Sequence, residues 1–259
     1  LQKDPLNPAF NRLIMYNNVE LKQNDAALSA ADVLFNKSRN PEFNYLDFIY
    51  YGQALRDTKQ ISLAVEQYKK ALEYDSTKVE LWKDISDMYN EIGDYANAID
   101  AYIKFINSLS DKDRNADVII ALGKLYYSYG NDPKTTPDVK KSALLKADSI
   151  FAKIAEMEPD GYRGNFWRAR ANSALDPETT LGLAKPFYES TAALIESKND
   201  PRFNSVLIEC YSYLGYYTLV QKEYEKSLEY WNKILQIDPN NATAKKAIDG
   251  IKPQKKNEK

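Results

Sequence analysis

Thirty-seven carboxylates, thirty-five lysines and arginines, twenty tyrosines and one thiol are the groups with which this chain can do chemistry; histidine does not occur. Without histidine there is no Ser–His or Cys–His nucleophile pair and no His-ligated zinc or iron site. Cys210 stands alone, so it forms neither an intrachain disulfide nor a cysteine-rich metal site. Its surroundings, VLIECYSYLGYY, are those of a small, inert core residue. Paired carboxylates catalyse where they converge in a dry cleft. In stretches such as EQYKKALEYD they alternate with lysines instead, the pattern of a solvated helix face. The nine glycines are scattered and build no phosphate loop, and three methionines are too few for a Met-rich groove. No cofactor is called for. What remains is the chemistry of binding, in which arginine and tyrosine combine apolar area with hydrogen-bonding ends.

The net charge of -2 argues against a nucleic-acid partner, because such proteins gather a basic excess on one face. Only residues 252–259 are locally basic, and they read as a solvated, disordered tail. No stretch approaches the roughly 18–20 apolar residues of a membrane span, so direct membrane insertion is not expected. The single cysteine fits a bacterial cytoplasm or an exported, envelope-facing protein equally well.

These side chains are positioned by a repeat. From Tyr45 the chain reads YLDFIYYGQALRDTKQISLAVEQYKKALEYDSTK, and from Val79 it reads VELWKDISDMYNEIGDYANAIDAYIKFINSLSDK. Ala64, Tyr68 and Ala71 align with Ala98, Tyr102 and Phe105, each 34 residues on. Phe48, Tyr51, Gly52 and Leu55 likewise align with Trp82, Ile85, Ser86 and Tyr89. The pattern resembles the tetratricopeptide repeat, a helix–turn–helix of about 34 residues with W-x2-L-G-x2-Y, then A-x3-F, then a closing proline. Small residues at the Gly/Ser and Ala positions let the two helices approach, and the aromatics fill the wedge against the next repeat.

In that register residues 208–241 carry Leu214, Gly215, Tyr224, Ser227, Trp231 and Ile234 and close at Pro239. Residues 116–161 carry Leu122, Gly123, Tyr126, Ala147, Phe151 and Ile154 and close at Pro159. There Gly123 and Ala147 lie 24 residues apart where the repeat has 12, so twelve are inserted. The stretch 131–137 reads as a loop, with Thr136 capping a lengthened helix that starts at Pro137. Residues 8–41 form a weaker copy on Ile14, Met15, Ala27, Ala31 and Leu34. The copy at 164–198 is irregular: Trp167, Ala171, Ala174, Ala184 and Tyr188 fit, but Arg170 takes a leucine position, and Pro186 should kink or restart its helix.

The resemblance therefore implies an all-α fold, a right-handed superhelical solenoid of antiparallel helix pairs. It has about six repeats over 8–41, 45–78, 79–112, 116–161, 164–198 and 208–241. A capping helix at 242–251 completes a single domain over 1–251. The opening LQKDPLNP matches LQIDPNNA at 235–242 in five of eight positions, as if the tail of a preceding repeat. The chain is accordingly expected to be a C-terminal piece of a longer protein.

In this family, first-helix positions 5, 9 and 12 face a concave groove. Carried onto this sequence they are Arg12, Tyr16 and Val19; Ile49, Gln53 and Arg56; Lys83, Asp87 and Asn90; and Ile120, Lys124 and Tyr127. The last two repeats give Arg168, Asn172 and Leu175, with Trp167 in register, then Ser212, Tyr216 and Leu219. The family's carboxylate clamp for chaperone tails is not expected. Arg12 and Tyr16 are followed by Tyr50 and then Glu80 and Asp84, which reverse its charge; Lys83 and Asp87 are followed by Ala121. Tyr51, Tyr68, Tyr89, Tyr102 and Tyr126 fall at core wedges, whereas Tyr127, Tyr213 and Tyr217 have no required core role. The reading is a non-catalytic scaffold holding a peptide or partner protein in the groove. The alternative is a glycan or small-ligand module on the tyrosine-rich surface.

Overall fold

Several helix starts are fixed by capping side chains, although Thr136, expected to cap the helix that begins at Pro137, makes no such hydrogen bond. The computed structural model describes residues 4–257, with side chains as far as Lys252, and among the described residues there are thirteen α-helices and no strand. The Asn7 and Asn115 carboxamides accept the amides of Phe10 at 3.2 Å and Val118 at 3.1 Å, which satisfies donors that a helix cannot use internally. Asn44 and Asp47 cap each other reciprocally.

The helices come in pairs. In the first half they are α1 (Pro8–Glu20) with α2 (Asn24–Asp32), α3 (Tyr45–Asp57) with α4 (Ile61–Tyr74), and α5 (Leu81–Glu91) with α6 (Tyr95–Ser108). Helix α2 runs on into a π turn, Val33–Lys37. In the second half α7 (Ala116–Asn131) pairs with α8 (Pro137–Met157), and α9 (Arg163–Leu175) precedes α10 (Lys185–Glu196). A 3-10 turn, Pro201–Phe203, leads to α11 (Asn204–Val220), α12 (Tyr224–Ile237) and α13 (Ala242–Asn257). No helix among the described residues is long and apolar enough to cross a membrane.

Four of the intra-pair turns share one geometry. Lys22, Lys59, Gly93 and Lys222 each take a left-handed conformation, with φ of 56°, 63°, 75° and 61°. The next residue's amide reaches back five residues, as from Gln60 to the Leu55 carbonyl at 2.8 Å and from Asp94 to Tyr89 at 2.9 Å. That bond closes the helix end.

Packing within a pair depends on small residues. A Cβ on Gly52 would stand 2.6 Å from the Tyr68 ring, and one on Gly123 would stand 2.4 Å from Phe151. Where serine takes one of these small-residue positions it bonds across the seam: Ser86, at the glycine position, donates Oγ–H to the Ala98 carbonyl at 2.8 Å, and Ser227, at the alanine position, to that of Gly215 at 2.7 Å. The fold is an all-α tetratricopeptide-type stack of helical hairpins.

Two compact units divide between Asp113 and Arg114, where the sequence leads one to expect a single domain. In the first unit Phe48, Tyr68, Ile85 and Met88 form the main cluster; in the second, Phe166, Tyr188, Tyr211, Leu214 and Trp231 do. Tyr213, assigned no core role from its register, is buried there at 9% exposure against Tyr188, with ring centroids 4.7 Å apart. Pro186 restarts a helix rather than kinking one, sitting in the first turn of α10. Helix α13 passes the expected end at 251. Of the tail expected to be disordered, the backbone is thus helical to Asn257, and 258–259 lie outside the described residues.

Candidate functional site

The first-helix side chains of the first unit are largely engaged with one another. The Arg12 guanidinium forks onto Asp47 through Nε at 2.6 Å and Nη2 at 2.9 Å, and it also donates to the Glu42 carbonyl at 2.5 Å. Asp47 is fully buried and accepts the Tyr16 hydroxyl at 2.8 Å. Burial and that hydrogen bond hold the Tyr16 phenol well above its usual range. Tyr16 stacks on Tyr50 at 4.1 Å, and Tyr50 donates to Glu20 at 3.0 Å. Arg12 and Tyr16 therefore tie α1 to α3.

Gln53 and Arg56 lie half-buried on α3, while Lys83, Asp87 and Asn90 are exposed on α5. Arg56 approaches Glu91 at 3.7 Å, a pair shared with Lys59 at 2.6 Å. Burial and the neighbouring Asp87 raise the Asp84 carboxyl, against the opposing pull of Arg56 and Lys83. Burial, with Asp84 nearby, pushes the Tyr68 phenol up to about 12.

The second unit offers a different surface, in which α7 and α9 bring cations onto aromatic faces and α11 supplies a carboxylate. Exposed Lys124 places its ammonium 4.9 Å from the Trp167 ring centroid. The Arg170 guanidinium lies 4.4 Å from the Phe166 centroid and 4.8 Å from that of Trp167. Tyr127 meets Trp167 edge-on at 5.5 Å, and burial raises its phenol, with Glu209 adding to the shift and Arg170 opposing it. Arg170 grips Glu209 of α11 at two points, 2.7 Å and 2.5 Å, and the Tyr188 hydroxyl donates to the same carboxylate at 3.1 Å. Beside them opens a pocket of about 380 Å³, lined among others by Asp117, Lys124, Tyr162, Arg163, Phe166 and Trp167. Arg163 is held there by Asp117 at 2.5 Å and Glu158 at 2.6 Å. Lys124 is different: it has no carboxylate within ion-pair distance among the described residues.

The remaining groove candidates separate from this cluster. Arg168 donates to Asp148 of α8 at 3.0 Å and lies over Phe187 at 4.1 Å. Asn172 donates to the same carboxylate at 2.8 Å. At about 100° per residue, Arg168 and Asn172 share one side of α9 and Arg170 the other. Tyr216 is exposed on α11. Trp167 and Arg170, read from the sequence only as packing markers, are the residues that organise the cluster. Cys210 is buried, and burial with Glu209 beside it pushes its thiol up to about 12, so it stays protonated. Among the described residues no group of three potential ligands is placed to hold a metal.

A crystal structure of the C-terminal part of a TPR repeat-containing protein from Cytophaga hutchinsonii is similar to this chain at 30% identity and a TM-score of 0.70, covering 95% of this chain and 90% of that one. The chain belongs to the tetratricopeptide-repeat family. No family model matches it. Tetratricopeptide-repeat structures from Parabacteroides merdae (15% identity, TM-score 0.49, covering 94% of this chain and 98% of that one) and Thermus thermophilus (15%, 0.44, covering 80% and 98%) are more distantly similar. A tetratricopeptide-repeat stack of this kind is, in general terms, a protein-interaction scaffold.

Proposed function

We propose that this chain is a non-catalytic scaffold that binds an extended peptide or partner segment along the first-helix faces of its second unit, with Lys124, Trp167 and Arg170 at the centre. The observation that carries this reading is the state of Lys124. Its neighbours Arg163 and Arg170 are already neutralised by Asp117, Glu158 and Glu209. Lys124 is exposed, held over an indole and without a carboxylate partner. A peptide carboxylate seated there completes an ion pair whose apolar floor exists already, in a pocket walled by Tyr162, Phe166 and Trp167. Aromatic and arginine side chains of this kind dominate protein interfaces.

A sugar ligand needs an uncovered ring face on which to stack. Trp167 lacks one: Phe151 stacks on it at 5.5 Å, and Lys124 and Arg170 lie over it. A peptide is accordingly the better match.

The test is a quantitative pull-down from native lysate that compares the chain with Lys124→Glu, a change at an exposed site that leaves the helices intact. A protein recovered by the parent and lost from the variant supports groove binding. Equal recovery by both sinks it.

A further inference from the structure

Repeats two and three keep a 34-residue period, and repeats four and five break it in the same place. Most of the residues inserted into repeat four lengthen α8, which runs for 21 residues from Pro137 to Met157 where α4 has 14. In repeat five the connection from α9 to α10 runs over 176–184, nine residues where α3 and α4 are joined by three. These two departures meet. Between them lies an apolar pocket of about 550 Å³, walled by Pro137, Leu144, Leu145, Leu175, Leu181 and Leu183.

Three of the pocket's leucines are open to solvent, Leu181 at 72% exposure, Leu145 at 51% and Leu183 at 38%, while Leu144 is fully buried. The loop that presents them is nonetheless built to hold one shape. Asp176, 4% exposed, accepts the amides of Thr180 at 3.1 Å, Leu181 at 3.0 Å and Gly182 at 2.8 Å. Thr179 and Gly182 take left-handed conformations, φ 56° and 67°, and such a conformation strains a β-branched residue. Gln221 donates to the Thr180 carbonyl at 3.2 Å. A Cβ on Gly182 would stand 2.4 Å from the Tyr217 ring. A loop fixed this firmly with its leucine turned outward is preorganised for contact, which lowers the ordering cost of binding.

The charge around the pocket says what fits. Lys140 and Lys141 are the only charged side chains in its lining, and neither has a carboxylate within ion-pair distance among the described residues. We propose that this pocket docks a partner-protein segment whose leucine-sized anchors, spaced for one helix face, are flanked by acidic residues. It is a second interaction surface, independent of the peptide site at Lys124. The concave shape favours inserted side chains over a flat lipid surface.

The test is a selection from a displayed library of random sixteen-residue peptides against the whole chain, followed by calorimetric titration of the enriched sequences. The expected result is enrichment of peptides with apolar residues at i, i+3 or i+4 and i+7 bracketed by Asp or Glu. Their affinity should fall at least about tenfold in Leu181→Asp and in Lys140→Glu/Lys141→Glu. Lys124→Glu should bind them unchanged, which separates this site from the first. The proposal is overturned if no enriched peptide is sensitive to Leu181→Asp, or if the sensitive peptides carry no acidic bias. It also fails if Leu181→Asp instead abolishes self-association or adsorption to phosphatidylserine vesicles, since the occupant is then a second copy or a membrane.

Discussion

Arg170 and Glu209 join α9 to α11 through two parallel hydrogen bonds, Nε to Oε1 at 2.7 Å and Nη2 to Oε2 at 2.5 Å. Each side chain is 32% exposed, so solvent screens the pair to about 1 kcal/mol. Glu209→Gln keeps the shape and a partner for the Tyr188 hydroxyl while removing the charge. Urea unfolding should register a loss of about 1 kcal/mol. A loss beyond about 3 kcal/mol would show that the pair behaves as a buried one.

Arg12 and Asp47 make the contrasting case, since Asp47 is fully buried. Arg12→Ala leaves a buried carboxylate with the Tyr16 hydroxyl and one backbone amide as partners. The expected destabilisation is about 3 kcal/mol or more. Arg12→Lys should recover only part of it, because an ammonium cannot reproduce the fork. Full recovery by lysine would mean that charge, not geometry, holds α1 to α3.

Asp84 gives a pH dependence of definite sign. Burial and Asp87 raise its carboxyl above the usual aspartate range in the folded state. Its contribution to stability is therefore complete below the unfolded pKa and is lost as pH rises through the folded one. Asp84→Asn should stabilise the protein at neutral pH, and the gain should vanish in acid, where an ordinary aspartate is itself protonated. A gain that persists unchanged into acid argues against this assignment.

Gly123 tests the seam between α7 and α8. Alanine is better than glycine within a helix by up to about 1 kcal/mol, but its Cβ would stand 2.4 Å from Phe151, which is fully buried. Overpacking should win, for a net loss of about 1–2 kcal/mol. Thermal melting decides it, and a higher Tm for Gly123→Ala would show that the Phe151 ring has room to retreat.

The α3–α4 and α5–α6 hairpins were legible because each packing position recurs with an unbroken 34-residue spacing, from Ala64 and Tyr68 to Ala98 and Tyr102. The candidate site was legible only in part. Lys124 and Tyr127 follow from the register of the fourth repeat, where Gly123 seats under Phe151. Arg170 was missed because Trp167 was placed in the aromatic slot of the fifth repeat, which turned Arg168 and Asn172 toward the groove. The closing proline carried the needed signal. Pro5 puts a repeat start three residues on, at Pro8, where α1 begins. The same step from Pro159 gives Tyr162, next to the first residue of α9. Ala169 then takes the small-residue position, in the cluster with Ala184 and Tyr188, and Arg170 takes the groove position after it. Asp47 was hidden for another reason: a capping carboxylate and a buried ion-pair acceptor look alike until the helix it caps packs against Arg12.

The three tryptophans sit in unlike surroundings. Trp231 is 5% exposed, with its indole N–H donating to Ser227 Oγ at 3.2 Å. Trp82 is half-buried beneath the Lys104 ammonium at 4.4 Å. Trp167 lies among Lys124, Arg170 and Tyr127. Indole emission depends on local polarity and nearby charge, so one chain carries two built-in optical probes with separate tasks. Trp231 follows the integrity of the seam between α11 and α12. Trp167 is placed to report an anion seated beside Lys124, should the proposed peptide carboxylate bind there, and no label has to be attached to the surface it watches.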